Sequence, residues 1–473
     1  MSETITTQVA VIGAGPGGYA AAFMAADLGL DTTLIDIEDN PGGTCLYRGC
    51  IPSKALLHVA HVLNAAKEAE HFGVTFQQPA IDIERLKAAT KGVVDQMTGG
   101  LGQLSKARGV RYVKGRGTYA DSQTITVVGD NHAITTVKCE HSILAAGSRP
   151  ALLPPLIKST RIMNSTGALR MDDIPGSLLV VGGGYIGLEL GSVYAALGSV
   201  VTVVEATDGL LPGCDRDLVR PLAKRLESAF EEILLNTKVT NMEDVKGGLR
   251  VTLEGPDLKK PKRTYDKVLI CIGRKPNSSG LGLDSTKVQV NDRGFVVVDE
   301  QRRTTDPNIF AIGDIVEGPA LAHKASHEGR VAAEVIAGKN VAFEPQAIPA
   351  VVFTDPEIAY TGLTENEAKK QGRKINVARF PWAASGRATT LNRTEGLTKL
   401  ITDPETNQLL GVGIVGEGAG ELIAEATLAI EMGALASDID LTIHPHPTLS
   451  ETVMEAAGSI FGTSTHIYRP KKS

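Results

Sequence analysis

Gly13-Ala14-Gly15-Pro16-Gly17-Gly18 is the stretch on which the fold turns. Gly13, Gly15 and Gly18 meet the GxGxxG spacing. One glycine allows the tight bend, one lets the backbone approach a pyrophosphate, and the third lets helix and strand pack closely. Alone, the motif is equally a plain strand–helix turn, so its setting decides. The apolar run Val9–Ile12 precedes it, and the Ala-rich stretch Tyr19–Leu28 follows as a helix that stops at Gly29. Thr32–Asp36 then reads as a second strand, ending in a carboxylate 23 residues past Gly13. That spacing suits a ribose contact, with the phosphates resting on the N–H groups of the helix start.

A second copy lies about 170 residues on. Leu178–Val181 is the strand, Gly182-Gly183-Gly184-Tyr185-Ile186-Gly187 the turn with Gly182, Gly184 and Gly187 in register, and a helix runs to Leu197. The strand Val200–Glu205 closes the unit. Glu205 can accept from both ribose hydroxyls and would repel a 2′-phosphate, and no arginine follows at Ala206 or Thr207. NAD is therefore favoured over NADP. A repeated βαβ unit sets the class as α/β with two Rossmann-like dinucleotide-binding domains, one holding a flavin dinucleotide tightly and the other an exchangeable nicotinamide.

The rest of the 473 residues organises around these units. Ala55–Glu70 and Ile83–Lys106 read as long helices, and Val110–Ile143 as a β-rich stretch. Pro150, Pro154 and Pro155 read as the linker into the second unit, and Lys275–Gly282 as the exit from it. From about Ala347 the pattern becomes α+β: strands at Ile375–Phe380, Thr398–Thr402 and Leu409–Val415, helices at Glu421–Met432 and Ser450–Ala457. The basic run Lys259-Lys260-Pro261-Lys262-Arg263 reads as a solvated turn. A net charge of −6 argues against nucleic acid as a partner, because phosphate binding needs a basic surface. No apolar run approaches the roughly 18 residues of a membrane span. The N-terminus lacks a basic region and a cleavable apolar one, so a cytoplasmic location is expected, or a mitochondrial matrix one if a presequence has been removed.

Five cysteines in so long a chain make no secreted disulfide framework. Cys45 and Cys50 stand five residues apart, after Gly42-Gly43 and before Lys54. By itself the pair reads readily as two buried structural thiols. Beside a dinucleotide turn it becomes a candidate redox disulfide, with Cys45 expected at the start of a helix whose first turn is distorted. Cys139, Cys214 and Cys271 read as structural, and no metal site is expected. Near the C-terminus, His444-Pro445-His446 sits on a proline-stiffened loop, with Glu451 five residues past His446. A carboxylate on one ring nitrogen raises basicity at the other, which suits a thiol base. A helix-capping loop would carry the same residues, and His444 could equally be a partner of the site or a packing residue.

These motifs together resemble the pyridine nucleotide-disulfide oxidoreductases. The likeness spans nearly the whole chain: GAGPGG at Gly13, GGTCLYRGCIPSKALL at Gly42, ILAAGSRP at Ile143, GGGYIGLELG at Gly182, IGRKPN at Ile272, IFAIGDI at Ile309, LAHKASHEG at Leu321 and HPHPTLSE at His444. The resemblance implies an FAD-binding domain at 1–149, an NAD-binding domain at 150–276, a return to the FAD domain at 277–346 and a dimerisation domain at 347–473. It implies a redox-active Cys45–Cys50 disulfide, with Lys54 beside the flavin and paired with Glu189. His446 and Glu451 would be the base and its orienter, contributed by the partner in a homodimer. Gly43, Thr44, Gly117, Gly147 and Ala322 match further FAD contacts, Asp36 and Asp314 its ribose and ribityl anchors, and Val239 and Gly273 NAD contacts. Relatives usually carry glutamate where Asp36 stands, one methylene longer. The activity implied is oxidation of protein-bound dihydrolipoamide with NAD⁺ as acceptor, the partner being a lipoylated acyltransferase or glycine-cleavage carrier protein. The alternatives are an NADPH-dependent reductase of another small disulfide and a non-catalytic dinucleotide-binding scaffold. The retention of Cys45, Cys50, Lys54 and His446 together argues against the scaffold.

Overall fold

β1 (Glu3–Ile12), α1 (Pro16–Asp27) and β2 (Thr32–Asp36) build the first βαβ unit in the computed structural model, which describes residues 3–130, 132–153, 157–256 and 258–468. Val9, Ala10 and Val11 are wholly buried, as a parallel strand covered on both faces requires. A Cβ at Gly13, where φ is +98°, would run into the Ala145 carbonyl. Only glycine therefore lets the turn sit against the end of the neighbouring strand.

The cysteine segment departs from expectation. Cys45 lies inside a short helix, α2 (Gly43–Arg48), and it is Cys50 that opens the long helix α3 (Cys50–Glu68). Gly49, at φ −144° and ψ −117°, breaks the path between them. Two helices meeting at that break bring the two thiols together.

After α4 (Ile83–Ala107), the strands β3 (Arg111–Lys114), β4 (Arg116–Asp121), β5 (Thr124–Val128) and β6 (Ile134–Leu144) complete a sheet of order β3-β2-β1-β6-β5-β4. The first half of β6 pairs with β5, while Ser142–Leu144 pair in parallel with a late strand, Ile309–Ala311. The chain thus returns to its first sheet after building a second unit. That unit has a five-stranded parallel sheet carrying Ser177–Val181 and Val200–Val204, with a three-stranded antiparallel sheet beside it. Lys262 and Arg263 belong to the strand Lys262–Tyr265 of the latter, and Arg263 is ion-paired with Glu232, so the basic run is only partly a turn. The two connections between the units run side by side, Ser148–Pro150 pairing antiparallel with Arg274–Pro276. Pro154 and Pro155 lie outside the described residues.

The third unit is a five-stranded antiparallel sheet covered by the helices Ala419–Glu431 and Glu451–Phe461. Trp382, fully buried, anchors it and donates from Nε1 to Thr398 Oγ1 at 2.9 Å. Lys399 of this sheet is 1% exposed and holds Asp215 and Asp217 of the second unit and Glu365 of its own at 2.7–2.8 Å. An ammonium buried this deeply is tolerable only when carboxylates surround it, so the cluster fastens the two units together.

Candidate active site

One cavity of about 750 Å³ collects most of the expected residues. The first glycine turn supplies Gly13, Gly15 and Gly18, the end of β2 supplies Asp36, and α2 supplies Gly43, Thr44 and Cys45. Cys50 and Lys54 face it from α3, Gly117 from β4, Gly147 from beyond β6, and Asp314 and Ala322 from the returning segment. Glu189 enters from the helix Tyr185–Ala196 of the second unit. The volume is in the range of cofactor pockets.

Asp36 Oδ2 accepts from the Ala14 N–H at 2.6 Å and Oδ1 from that of Glu38 at 3.0 Å, while burial pushes its carboxyl up from the ordinary range. At Gly15 an added Cβ would meet nothing within 4 Å, so the chain leaves room over the N-terminus of α1. Open space above unpaired helical N–H groups, with a carboxylate one strand away, fits the pyrophosphate and ribose of FAD. Asp314 Oδ2 accepts from the Ser148 hydroxyl, and Arg274 Nε, 3.7 Å from the same carboxylate, donates to Ser148 Oγ at 2.7 Å.

Cys45 and Cys50 are thiols in hydrogen-bond contact. The Cys45 thiol, as donor, does most to hold Cys50 down, to about 7; burial opposes this and Lys54 assists. Cys45 is pushed up in turn, first by its bond to Cys50 and then by burial. Cys50 is thus the thiolate of the pair and Cys45 the protonated partner, a division of roles that suits a thiol–disulfide relay. Lys54 Nζ donates to Glu189 Oε2 at 2.9 Å, and Ser53 Oγ reaches the same oxygen at 3.3 Å. Glu189 is 3% exposed.

The second fingerprint forms its own turn, whose glycines do not line this cavity although Tyr185 and Ile186 do. Gly183 N–H donates to Glu205 Oε2 at 2.7 Å, and both the N–H and the hydroxyl of Thr207 donate to Oε1 at 2.8 Å. Gly182 and Gly187 pack too tightly for a Cβ, Gly184 faces open space, and Gly273, at φ +111°, follows the neighbouring strand. Val239 lies in the adjoining antiparallel strand Lys238–Val245. This arrangement fits the adenosine half of NAD.

His446 and Glu451 do not line the cavity of their own chain. His446 Nδ1 lies 2.8 Å from Glu451 Oε1, and Glu451 Oε2 accepts from the Thr448 N–H at 2.8 Å. Burial resists the charge on Glu451, but Thr448 and His446 outweigh it and hold the carboxyl below its usual range. An ionised carboxylate only accepts, so Nδ1 carries the proton and Nε2 presents its lone pair on a side chain that is 72% exposed. His444 is bonded at both nitrogens, to Thr442 O and Glu425 Oε1, each at 2.8 Å.

A model of the pyridine nucleotide-disulphide oxidoreductases matches residues 7–329, and that family's dimerisation domain matches 348–457. The chain belongs to this family. Among its relatives is the dihydrolipoyl dehydrogenase of Haemophilus influenzae, 49% identical over 472 residues, covering 100% of this chain and 98% of that protein. The dihydrolipoyl dehydrogenase of Geobacillus stearothermophilus is 46% identical, with 98% of each covered. Among solved structures, LpdA from Mycobacterium tuberculosis superposes with a TM-score of 0.89 at 27% identity, over 96% of this chain and 99% of that one. Several polar partners in the family site escape a reading of the sequence: Ser53 on Glu189, Ser148 and Arg274 on Asp314, and Thr207 on Glu205. Ser148 and Arg274 stand inside the motifs ILAAGSRP and IGRKPN, so a signal was there. The sequence reading also passes over His323 and His327, one helical turn apart on Ala322–Ile336, where His323 Nε2 meets the Pro349 carbonyl at 2.7 Å.

Proposed function

We propose that the protein oxidises protein-bound dihydrolipoamide and reduces NAD⁺, the activity for which its full-length relatives are named. The observation that carries this reading is the Cys45–Cys50 pair set against Lys54 and Glu189 on the wall of a dinucleotide-sized cavity. FAD would be held by the Gly13–Gly18 turn, Asp36, Thr44, Gly147 and Asp314, and NAD by the Gly182–Gly187 turn, Glu205, Val239 and Gly273. When bound, FAD relays two electrons between the dithiol and the nicotinamide.

The residues of the chain perform the sulfur chemistry. In the oxidised protein Cys45 and Cys50 share a disulfide. One dihydrolipoyl thiol gives its proton to His446 of the partner subunit, and its sulfur attacks Cys45, releasing Cys50 as thiolate. The second dihydrolipoyl thiol attacks the first lipoyl sulfur and frees Cys45, which leaves as a thiol on taking up the second thiol's proton, so the lipoyl disulfide closes and both protein sulfurs are reduced. Lys54 favours the Cys50 thiolate as it leaves. Glu189 keeps Lys54 in place.

A homodimer is supported by the exposed apolar side chains of the third unit: Leu428, Met432, Leu441 and Ile443 are 64–95% exposed. Surfaces of that kind mark interfaces, and pairing there would carry His446 to the other subunit's cavity. Among the described residues no helix is long and apolar enough to cross a membrane, and the reaction is assigned to the cytoplasm. The decisive experiment is the absorption spectrum of the purified holoprotein on adding dihydrolipoamide and then NAD⁺. Reduction of the flavin with a long-wavelength thiolate band, reversed by NAD⁺, is expected; a spectrum inert to dihydrolipoamide would refute the reading.

A further inference from the structure

Phe353 belongs to neither dinucleotide-binding unit. It follows the strand Ala350–Val352 at the start of the third unit, yet it touches both members of the charged pair on the cavity wall. Its backbone N–H donates to Glu189 Oε1 at 3.0 Å, and Lys54 Nζ stands 4.3 Å from the centroid of its ring. Glu189 is therefore oriented through both oxygens, by Phe353 on one side and by Ser53 and Lys54 on the other. The Lys54 side chain is 31% exposed and, among the described residues, is ion-paired with Glu189. The Glu189 end of that pair is buried, while the ammonium end remains within reach of water. A ring face on the other side attracts the charge and shuts out that water.

We propose that Phe353 is a positioning residue: its ring holds the Lys54 ammonium on Glu189, so that the third unit sets the charge facing the cysteine pair within its own chain. This rests on the reading of Lys54 and Glu189 given above. The groups that face Cys50 are Cys45 from α2, Lys54 from α3, Glu189 and Tyr185 from the second unit and Tyr19 from α1. Lys54 is the cation among them. Loosening it removes positive potential from the wall where negative charge builds on reduction.

The test uses the holoprotein and two readouts, the rate of flavin reduction by NADH and the pH midpoint of the Cys50 thiolate band. Phe353→Leu should slow the NADH step by about 2- to 30-fold, the worth of one such contact between partly exposed and desolvated limits. The same substitution should move the thiolate midpoint upward. Phe353→Tyr and Phe353→Trp, which keep an aromatic face, should restore both; Phe353→Met, of similar bulk without a ring, replaces the leucine variant if that one loses flavin. In a Lys54→Met background, Phe353→Leu should have no further effect. An undiminished effect in that background would mean that the ring only fills space, and wild-type rates and midpoint in Phe353→Leu would equally overturn the proposal. The NADH step does not involve dihydrolipoamide, so failure of the wild type to oxidise dihydrolipoamide would sink the proposed function and leave this coupling measurable.

Discussion

His446 offers the sharpest quantitative prediction, because the fold puts it outside the cavity of its own chain while family membership supplies a dimerisation unit. The Glu451–Thr448 arrangement leaves its Nε2 as the acceptor nitrogen, and the role proposed for it is confined to removing a proton from a thiol. His446→Gln should therefore cut dihydrolipoamide oxidation by roughly 10²–10⁴-fold, the usual worth of a general base. Reduction of an artificial acceptor by NADH needs no thiol base and should survive. Cys45→Ser should be inactive toward dihydrolipoamide for a different reason. If equal amounts of the two variants exchange subunits at random, about half of the dimers are mixed. In each mixed dimer one site carries both lesions, and the other combines an intact disulfide with an intact base. One site in two working, in half of the dimers, predicts a return of about a quarter of wild-type activity. NADH formation follows the recovery, and native mass spectrometry of the mixture counts the mixed dimers. Were the base to act within its own chain, every site would carry one lesion and nothing would return. Verified exchange without recovery thus refutes the interface reading.

Cys45→Ser should also keep its flavin and show a long-wavelength Cys50 thiolate band whose pH midpoint lies below the ordinary thiol range, because a hydroxyl at position 45 can still donate and Lys54 stays beside Cys50. Cys45→Ala, which removes the donor altogether, should move that midpoint upward, and an unchanged midpoint would mean that the contact between the sulfurs is not what lowers Cys50. Catalytic efficiency with NAD⁺ should exceed that with NADP⁺ by at least about tenfold, since the enclosed carboxylate of Glu205 would face the 2′-phosphate; equal efficiencies would remove Glu205 from the ribose. Lys399→Met should cost about 3–5 kcal/mol by taking the ammonium away from the buried carboxylate of Asp215, a loss read by denaturant unfolding. In the wild type, burial raises the cost of charge on Asp217, but Lys399 and Arg379 outweigh it and hold its pKa low. The stability this carboxylate contributes is present above the ordinary carboxylate range and lost as pH falls through the depressed value. A Lys399→Met variant as stable as wild type would show the clasp to be idle.

Much of the site was legible before any fold was built. The two glycine turns, their strands and their terminal carboxylates were readable because each depends on steric demands between neighbours in the chain: Gly13 must take φ +98° with no side chain toward Ala145, whatever else the protein does. Burial on both faces likewise writes itself into Val9–Ile12 and Leu178–Val181 as unbroken apolar runs. The cysteine segment was legible in composition but not in path, since a single backbone break at Gly49 moved Cys50, not Cys45, to the head of the long helix.

What the amino-acid order determined by itself was thus the set of local units: two dinucleotide-type βαβ repeats, a paired-cysteine segment, an α+β unit ending in a histidine loop, and the chemistry each could offer. Tertiary structure alone decided how they meet. It returned Ile309–Ala311 to the first sheet beside β6, laid Ser148–Pro150 against Arg274–Pro276, and set Phe353 across Lys54 and Glu189. It also placed His446 away from the cavity of its own chain. The physical reason is one of range. Backbone sterics and hydrophobic periodicity act between near neighbours and leave a repeating mark on the sequence. A contact such as Glu189 to Phe353, 164 residues apart, requires no particular pattern in either segment and arises only when the packing of whole units brings them together.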